Sequence, residues 1–518
     1  MFNTPLDGSR GNSYPKAGSE QRGDQVTRPS QKHRGAYFTP DDVAATLIGW
    51  AVRSRTDRLL DPSCGDGQFI AGHRNCVGIE QDGHSAGEAM QRAPWALVHE
   101  GDFFTWAAET RERFECAAGN PPFIRYQTFK GAARERALGL CCRLGANFSG
   151  LASSWAPFLV ATAGLLKPGG RMAFVVPAEI GHAPYAAPLL DYLVDNFERV
   201  QVVAVRRKLF PNLSEDCWLL YTDGFGGCTH EIGFTALDSF DPAACHRPPP
   251  AIAVPVDEWR ADWRRRLRPF LLSATARELY REVARHPLAR RFNSIAKVGI
   301  GYVSGANDFF HLRPSEAERL GIPSKLLHAA VRNGRALPAR SLTTSTIAKW
   351  QAADDPVMLL RLPKIGAAEL PASVRRYLDS SAGREAREAY KCRVREPWFS
   401  VPDVQTPDYF MSYMSGVSAG LVRNAGRATC TNSVHGVRVK DRSGMSAFLA
   451  AWDSSLMALS REVEGHPLGG GMLKLEPREA GQLLLSPAAA LPSNAADDLR
   501  EAVGTMRRWR HYAEGERS

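Results

Sequence analysis

The sequence predicts an α/β first half, built on a doubly wound parallel sheet, followed by a mixed α+β second half. Three observations lead there. From residue 35 to about residue 225, short apolar runs alternate with helical segments. That alternation is what a parallel sheet covered by helices produces. Acidic residues and glycines recur where those runs end, at Asp61 to Gly67, at Glu80 and at Gly101-Asp102. Sheets of this kind bind ligands at the carboxyl ends of their strands. From Ile295 onward, apolar runs mix with Gly-rich turns and isolated helices, and no single period fixes a topology.

The elements follow in order. Residues 58–61 close a first strand, and 76–80, 96–99 and 114–118 supply three more. Each is an apolar run of strand length with turn residues at its end. Residues 151–166 read as a helix. The turn Lys167-Pro168-Gly169-Gly170 then delivers the chain to a fifth strand at 171–176. Runs at 200–205 and 217–221 complete the set. Residues 226–256 read as loop, with Pro248-Pro249-Pro250 among many small residues, so a domain boundary is placed near residue 245. Residues 1–34 are rich in Gly, Ser, Pro, Gln and Arg and poor in aliphatics, which predicts a disordered basic arm. The expected organisation is therefore an arm at 1–34, a first domain at 35–245, a basic helical linker at 246–294 and a second domain at 295–518. In the linker Arg264-Arg265-Arg266 lies beside Trp259 and Trp263, a stretch that could grip a phosphate backbone.

A chain of 518 residues exceeds one ordinary core, which agrees with two or three domains. Its 44% hydrophobic and 23% charged content places it with soluble globular proteins. The formal charge of +10 suits a polyanionic partner, of which nucleic acid is the commonest. The ten cysteines are scattered, Cys141 and Cys142 are adjacent, and neither a Cys-x-x-Cys pair nor a His cluster completes a metal pattern. No metal is expected, and free thiols in a reducing cytoplasm are the simplest account. The sequence has no apolar run of membrane-spanning length and no apolar secretory segment at its start, so no membrane partner is expected.

One short segment carries unusual chemistry. Residues 119–123 read Gly119-Asn120-Pro121-Pro122-Phe123. The Asn120 side-chain oxygen and the Pro121 carbonyl are two acceptors, and an exocyclic amino group offers two donors. Accepting from both hydrogens draws the nitrogen lone pair out of conjugation and aims it at an electrophile. The paired prolines stiffen the loop, because each fixes φ and removes a backbone donor. Phe123 offers a face on which an unstacked base can lie.

The strand ends upstream suit a nucleoside cofactor. Glycines at 65 and 67 let the backbone approach a ligand closely. Glu80, ending the second strand, can accept both ribose hydroxyls. Asp102, after the third, can accept from the amino group of an adenine. The sequence has no phosphate-gripping Gly-rich loop ending in Lys-Ser or Lys-Thr. A cofactor without phosphates, such as S-adenosylmethionine, is expected rather than ATP.

These residues resemble the adenine-specific DNA methyltransferases of the gamma arrangement, found in restriction-modification systems. Gly35-Ala36-Tyr37-Phe38-Thr39-Pro40 resembles their motif X, placed ahead of motif I as that arrangement requires. Asp61-Pro62-Ser63-Cys64-Gly65-Asp66-Gly67 resembles motif I, Glu80 the acid of motif II, Asp102 motif III and Asn120 to Phe123 motif IV. Lys208-Leu209-Phe210-Pro211-Asn212 falls where motif VIII lies. The resemblance implies a Rossmann-like S-adenosylmethionine-dependent methyltransferase domain followed by a target-recognition domain. It implies cofactor contacts from Tyr37, Thr39, Asp61, Pro62, Cys64, Gly65, Gly67, Glu80, Asp102 and Asn120. Catalysis would fall to Asn120, Pro121, Pro122 and Phe123, and Phe210 would help Phe123 to hold a flipped adenine. In the second half Gly301 to Asn307, Tyr390 to Arg393, Thr429 to Asn432 and Gly469 to Lys474 are similar to recognition domains of that family.

Two departures stand out. Motif IV ends in Phe where Tyr is commoner, so stacking survives and a hydroxyl is lost. Motif I has Ser63 and Asp66 where Ala and Ser or Thr are frequent. The implied partner is double-stranded DNA, and a cognate restriction endonuclease is compatible as a separate chain, since residues 1–34 are too few for a nuclease domain. Two other readings remain open at this point. The loop could serve an amino group in RNA or a protein amide, or the chain could be a DNA-binding module with a vestigial methyltransferase fold.

Overall fold

The computed structural model describes residues 39–211, 213, 215–242, 247–416, 419–486 and 495–512. The predicted arm at 1–34 and Tyr37 lie outside the described residues. The first half is organised on a nine-stranded sheet. Its strands are β1 (Leu59–Asp61), β2 (Cys76–Glu80), β3 (Leu97–Glu100), β4 (Phe114–Gly119), β5 (Leu166–Pro177), β6 (Phe197–Val205), β7 (Cys217–Phe225), β8 (Glu231–Leu237) and β9 (Ile252–Pro255), in the order β3-β2-β1-β4-β5-β7-β6-β8-β9. Strands β3, β2, β1, β4 and β5 are parallel. The sheet is not parallel throughout, because β7 runs antiparallel between β5 and β6 and β9 is antiparallel on the edge.

Neighbouring residues along the strands serve opposite faces, as the two-residue strand period requires. Leu60, Ala117, Phe174 and Val202 pack in one core cluster, while Leu59, Cys116, Ala118, Val175 and Val203 pack in another. The second cluster is covered by α1 (Asp41–Ala51), which buries Val43, Ala44, Leu47, Ile48 and Ala51 against it. On the first side lie α3 (Phe103–Glu109), α4 (Ala132–Arg143), α5 (Trp155–Ala163) and α6 (Ala187–Asn196). Helix α2 (Gly83–Arg92) follows β2. The 167–170 turn lies inside β5, where the register with β4 jumps from Phe114↔Leu166 to Cys116↔Arg171. Gly169 takes φ +75° there, a conformation that favours glycine.

The segment expected to be loop departs from expectation. Residues 231–237 and 252–255 are β8 and β9, so the sheet continues past the boundary placed at residue 245. Nor do residues 256–285 hang free. Trp259 and Trp263 are buried in the same cluster as the sheet. Leu456, Leu459 and Val463 of the helix Ser455–Glu464 join that cluster, as do Leu499, Val503 and Met506 of Ala495–Trp509. The end of the chain therefore helps to build the core of its beginning. The second half adds a five-stranded sheet, in the order Ala296–Ile300, Val434–Val439, Tyr409–Ser412, Leu421–Asn424 and Ser341–Leu342. A four-stranded sheet beside it pairs His311–Leu312, Met358–Leu360, Leu327–Val331 and Thr429–Cys430.

Candidate active site

Strands β3, β2, β1 and β4 are consecutive neighbours, so their carboxyl ends stand side by side. This brings together Asp61 at the end of β1, Glu80 at the end of β2, Asp102 after β3 and Asn120 after β4. The turn after β1 is held from within. Ser63 N donates to Asp61 Oδ1 at 3.1 Å, and Gly65 N donates to Glu80 Oε2 at 2.9 Å. Asp82 N holds the other Glu80 oxygen at 2.7 Å. Glu80 thus ties the glycine turn to the end of β2 and has its orientation set by two backbone donors.

The glycines have separate duties. Gly67, at φ +91°, lies so close to α2 that an added Cβ would come within 2.9 Å of Ala89 Cα. Gly65, at φ +54°, faces open space with nothing within 4 Å of a built Cβ. Gly119 is needed by Asp61, because a Cβ there would come within 2.7 Å of Asp61 Oδ1. Pro62 is buried in the turn. Cys64 is 4% exposed, and a Cβ at Gly78 would meet its Sγ at 2.7 Å, so the thiol packs under the turn. Burial, with Asp61 and Glu80 nearby, pushes that thiol far above its ordinary range. It is a packing group, and what Cys64 can offer a ligand is turn geometry.

Asp61 is the most perturbed acid of the site. It is 1% exposed, and its Oδ2 is buried with no hydrogen-bond partner among the described residues. Burial pushes its carboxyl up to about 8; the Ser63 backbone bond opposes this, and repulsion from Glu80 and Asp66 adds to it. A buried carboxyl facing two further acids is stabilised by an incoming cation. A nucleoside bearing a positive centre fits this donor set: a cation for Asp61, ribose hydroxyls for Glu80 and open space above Gly65. Asp102 caps α3, with Thr105 N at 2.9 Å and Thr105 Oγ1 at 2.7 Å on its Oδ1. An adenine amino group would therefore have to be accepted by Oδ2.

The second loop is tied to the first. Ser63 Oγ donates to the backbone oxygen of Asn120 at 3.2 Å. The Asn120 amide Nδ2 donates to Thr39 Oγ1 at 3.3 Å, which makes Oδ1 the acceptor end of the side chain. Thr39 sits at the head of α1 and is 7% exposed, so its hydroxyl is a fixed partner. Below the prolines, the buried hydroxyl of Ser154 donates to the Pro122 carbonyl and accepts from Ile124 N at 3.0 Å. Ser154 N donates to Ile124 O at 3.0 Å. Arg125 pairs with Glu215 at 2.7 Å, linking this loop to the one after Phe210. Neither Ser154 nor Ser63 was picked out from the sequence as a site residue. Their contacts span 32 and 57 positions of chain, and no local pattern announces them.

Phe123 is half-buried and packs against both core clusters, at the seam between the two faces of the sheet. Phe210 is 7% exposed and sits within the second cluster, to which Phe123 also packs. Both rings therefore pack on the same face of the sheet, with Phe123 the more accessible. The basic stretch proposed to grip phosphates is used differently. Arg264, Arg266 and Arg291 converge on Glu464, Arg268 pairs with Glu462, and Arg281 and Arg285 pair with Asp262. These guanidiniums are taken up by internal carboxylates, which a charge count along the sequence cannot reveal.

Residues 264–514 match the family described as Type II methyltransferase M.Eco57I, C-terminal domain. Over 159 residues, the chain is 30% identical to Type II methyltransferase M.TthHB8I of Thermus thermophilus, which covers 29% of this chain and 36% of that protein. It is 28% identical over 193 residues to M.CvrRI of Paramecium bursaria Chlorella virus XZ-6E, 35% of this chain and 47% of the relative. The chain thus spans less than half the length of either. Type II methyltransferase M.AccI of Acinetobacter calcoaceticus is 17% identical over 509 residues, 92% of this chain and 89% of its own length. Among solved structures, the Type IIL restriction-modification enzyme MmeI in complex with DNA superposes with a TM-score of 0.51. It is 12% identical, over 92% of this chain and 73% of that one, a likeness of fold.

Proposed function

We propose, on the premise that this chain belongs to the methyltransferases of restriction-modification systems, that it methylates the exocyclic N6 amino group of an adenine flipped out of double-stranded DNA. S-adenosylmethionine would supply the electrophilic methyl group. The observation that carries this reading is the double tie between the two loops. Ser63 holds the Asn120 backbone and Thr39 holds its amide nitrogen, so Asn120 is fixed beside the turn that follows Asp61.

The work of the chain's own groups follows from that placement. Asp61, ionised, stabilises the positive charge of the cofactor, and Glu80 accepts from its ribose. Asn120 Oδ1 and the Pro121 carbonyl accept from the two amino hydrogens and aim the nitrogen lone pair along the transfer direction. Phe123 supports one face of the base, and Phe210 lies in the cluster beneath it. Unstacking the base costs about a few kcal/mol, which stacking and the paired hydrogen bonds offset. The proton leaves to water after the nitrogen has become cationic, so no strong base is required. Orientation and electrostatics supply the acceleration.

A groove of about 490 Å³ in the second half supports DNA as the partner. Lys297 and Arg438 stand directly opposite each other in an antiparallel pair on its floor. Like charges in that position destabilise a sheet unless an anion lies between them. Lys391 and Arg395 also line the groove, against the one carboxylate of Asp403. Gly299, two residues beyond Lys297, has nothing within 4 Å of a built Cβ, so a ligand can approach the backbone there.

The test is modification mapping. The protein is expressed in a host without adenine methylation and the DNA is sequenced by a method that reports methylated adenine. Methylation at one recurring motif is expected, and Asn120→Ala should abolish it while leaving cofactor affinity within a few-fold. Near-normal turnover by that variant would sink the mechanism. Unmethylated DNA, from protein that binds S-adenosylmethionine, would move the substrate to RNA or a protein amide.

A further inference from the structure

On the α1 face of the sheet, away from the carboxyl edge, lies a cavity of about 440 Å³ that the methyl-transfer chemistry does not use. It opens beside Trp50 and Arg53, at and just past the end of α1, and beside Arg171 of β5, Arg199 of β6 and Asp223 of β7. Cys116, the β4 partner of Arg171, precedes Gly119 by three residues. At the usual strand rise that sets the cavity roughly 10 Å below the methyl-transfer edge.

The charge of this cavity does not balance. Three guanidiniums meet one carboxylate. Arg171 Nε lies 2.9 Å from Asp223 Oδ1, and Arg53 and Arg199 bond the same carboxylate. Arg247, exposed on the rim, brings the lining to four arginines against one acid. Asp223 is 3% exposed; burial raises its pKa, but the hydrogen bonds from Arg171 and Arg199 outweigh this and hold the carboxyl below its ordinary value. The neighbouring acids are engaged elsewhere. Asp57 accepts from the backbone of Arg53 and Ser54, and Glu115 accepts from Arg58 N and Lys167. Three guanidiniums crowded on one carboxylate repel one another, and a second anion relieves that repulsion.

The walls say what kind of anion. Trp50 is half-buried, with the Arg171 guanidinium 4.8 Å from its ring centre and Tyr221 edge-on at 5.0 Å. The volume is that of a small-molecule site rather than of a bare ion. The side chains of Arg53 and Arg199 are 48% and 72% exposed, so they can turn from Asp223 to a ligand without unfolding anything. We propose that this cavity binds a phosphate ester carrying a flat ring, its phosphate held by Arg53, Arg199 and Arg247 and its ring set against the Trp50 wall. The site is separate from the methyl-transfer centre. Two sources share the chemistry, a free nucleotide and a nucleotide unit within a strand.

The test uses the full chain and two probes, deoxycytidine monophosphate and a short single-stranded oligodeoxycytidine, titrated calorimetrically against sodium chloride of equal ionic strength. Saturable binding of the mononucleotide is expected. The double variant Arg199→Ala/Arg247→Ala should weaken it by about tenfold or more. Asp61→Asn, at the other site, should leave it unchanged. The double variant should also retain methyl transfer, which shows that it is folded. Binding of the oligonucleotide alone, lost in the double variant, would assign the ester to a strand. The proposal is overturned if neither probe binds beyond the salt control, or if the double variant binds both as the parent does.

Discussion

At Asp61 one carboxyl is held in an unfavourable place, which a cationic ligand would relieve. It is buried, it faces Glu80 and Asp66, and its pKa rises from 3.8 to about 8. Below the lower value the group is protonated in folded and unfolded chains alike. Between the two values the unfolded chain ionises while the folded one keeps its proton, so this group's contribution to stability falls as pH rises and is lost through about 8. The ligand-free protein should show that slope in thermal denaturation, and Asp61→Asn should flatten it. Cofactor affinity should run the other way, rising with pH towards about 8 as Asp61 ionises. Calorimetry at several pH values would show it, and a flat profile would exclude Asp61 from contact with the cofactor's charge. Ser154 makes a second prediction at this scale. Its hydroxyl braces both sides of Phe123 by bonding Pro122 O and Ile124 N. Ser154→Ala should lower kcat by about 10- to 100-fold with little change in cofactor affinity, because misplacing a reacting pair by an ångström carries such a penalty. Recovery in Ser154→Thr would separate positioning from general damage. Asp61, Glu80 and Asn120 were legible in the sequence because each ends a run of strand-forming residues. Ser154 was not, because its partners lie about 30 positions away and nothing in Ser153-Ser154-Trp155 points to them.

Among the elements, the parallel core strands were read correctly and the edge was missed. Strands β2 and β4 are nearly continuous apolar runs because both of their faces are buried. Strand β9 buries one residue of four and ends in Pro255, and β8 carries Gly233 at its middle. An edge strand such as β9 tolerates exposure and proline, and the glycine breaks the apolar run of its neighbour β8, so both read as loop. In the second half, the pair Lys297↔Arg438 belongs to the same scale, because only pairing puts residues 141 positions apart face to face. Lys297→Ala and Arg438→Ala should each weaken DNA binding and lower its salt slope by about one, with cofactor affinity unchanged. Filter binding over a range of salt concentrations would measure this. Unaltered slopes would remove the groove from the DNA surface.

For the whole molecule, the two halves share a core and an ion network. Glu462 and Glu464 end the helix Ser455–Glu464 and face arginines from residues 264–291 and from the chain's end. Arg510 is fully buried and bonds Glu462 at 2.8 Å. Burial pushes Arg268 down to about 10, against the pull of Glu462. Removing one partner of such a buried set leaves charge uncompensated, and Glu462→Ala should cost about 3–5 kcal/mol. Chemical denaturation should show that loss in one transition covering both halves. Two separate transitions, with the first half unaffected, would refute a shared core. This network corrects the sequence reading of 246–294 as a basic linker. Its arginines are numerous, as the composition says, but most are paired with the chain's own carboxylates.

The sequence by itself determined where the residues proposed for methyl transfer lie along the sheet edge. Asn120 with its prolines, the glycine turn after Asp61 and the acid at Glu80 are each short, contiguous and tied to the end of an apolar run, so spacing alone places them at one edge of a sheet. Tertiary structure decided the rest. It brought Thr39 to Asn120 and Ser154 to Pro122, buried Asp61 until its acidity changed, and closed the end of the chain over its beginning. It also turned one set of arginines inward to Glu462 and Glu464 and crowded another around Asp223. The physical reason is the same in each case. Hydrogen-bond strength, desolvation and charge repulsion depend on distance in space, and a sequence records only distance along the chain.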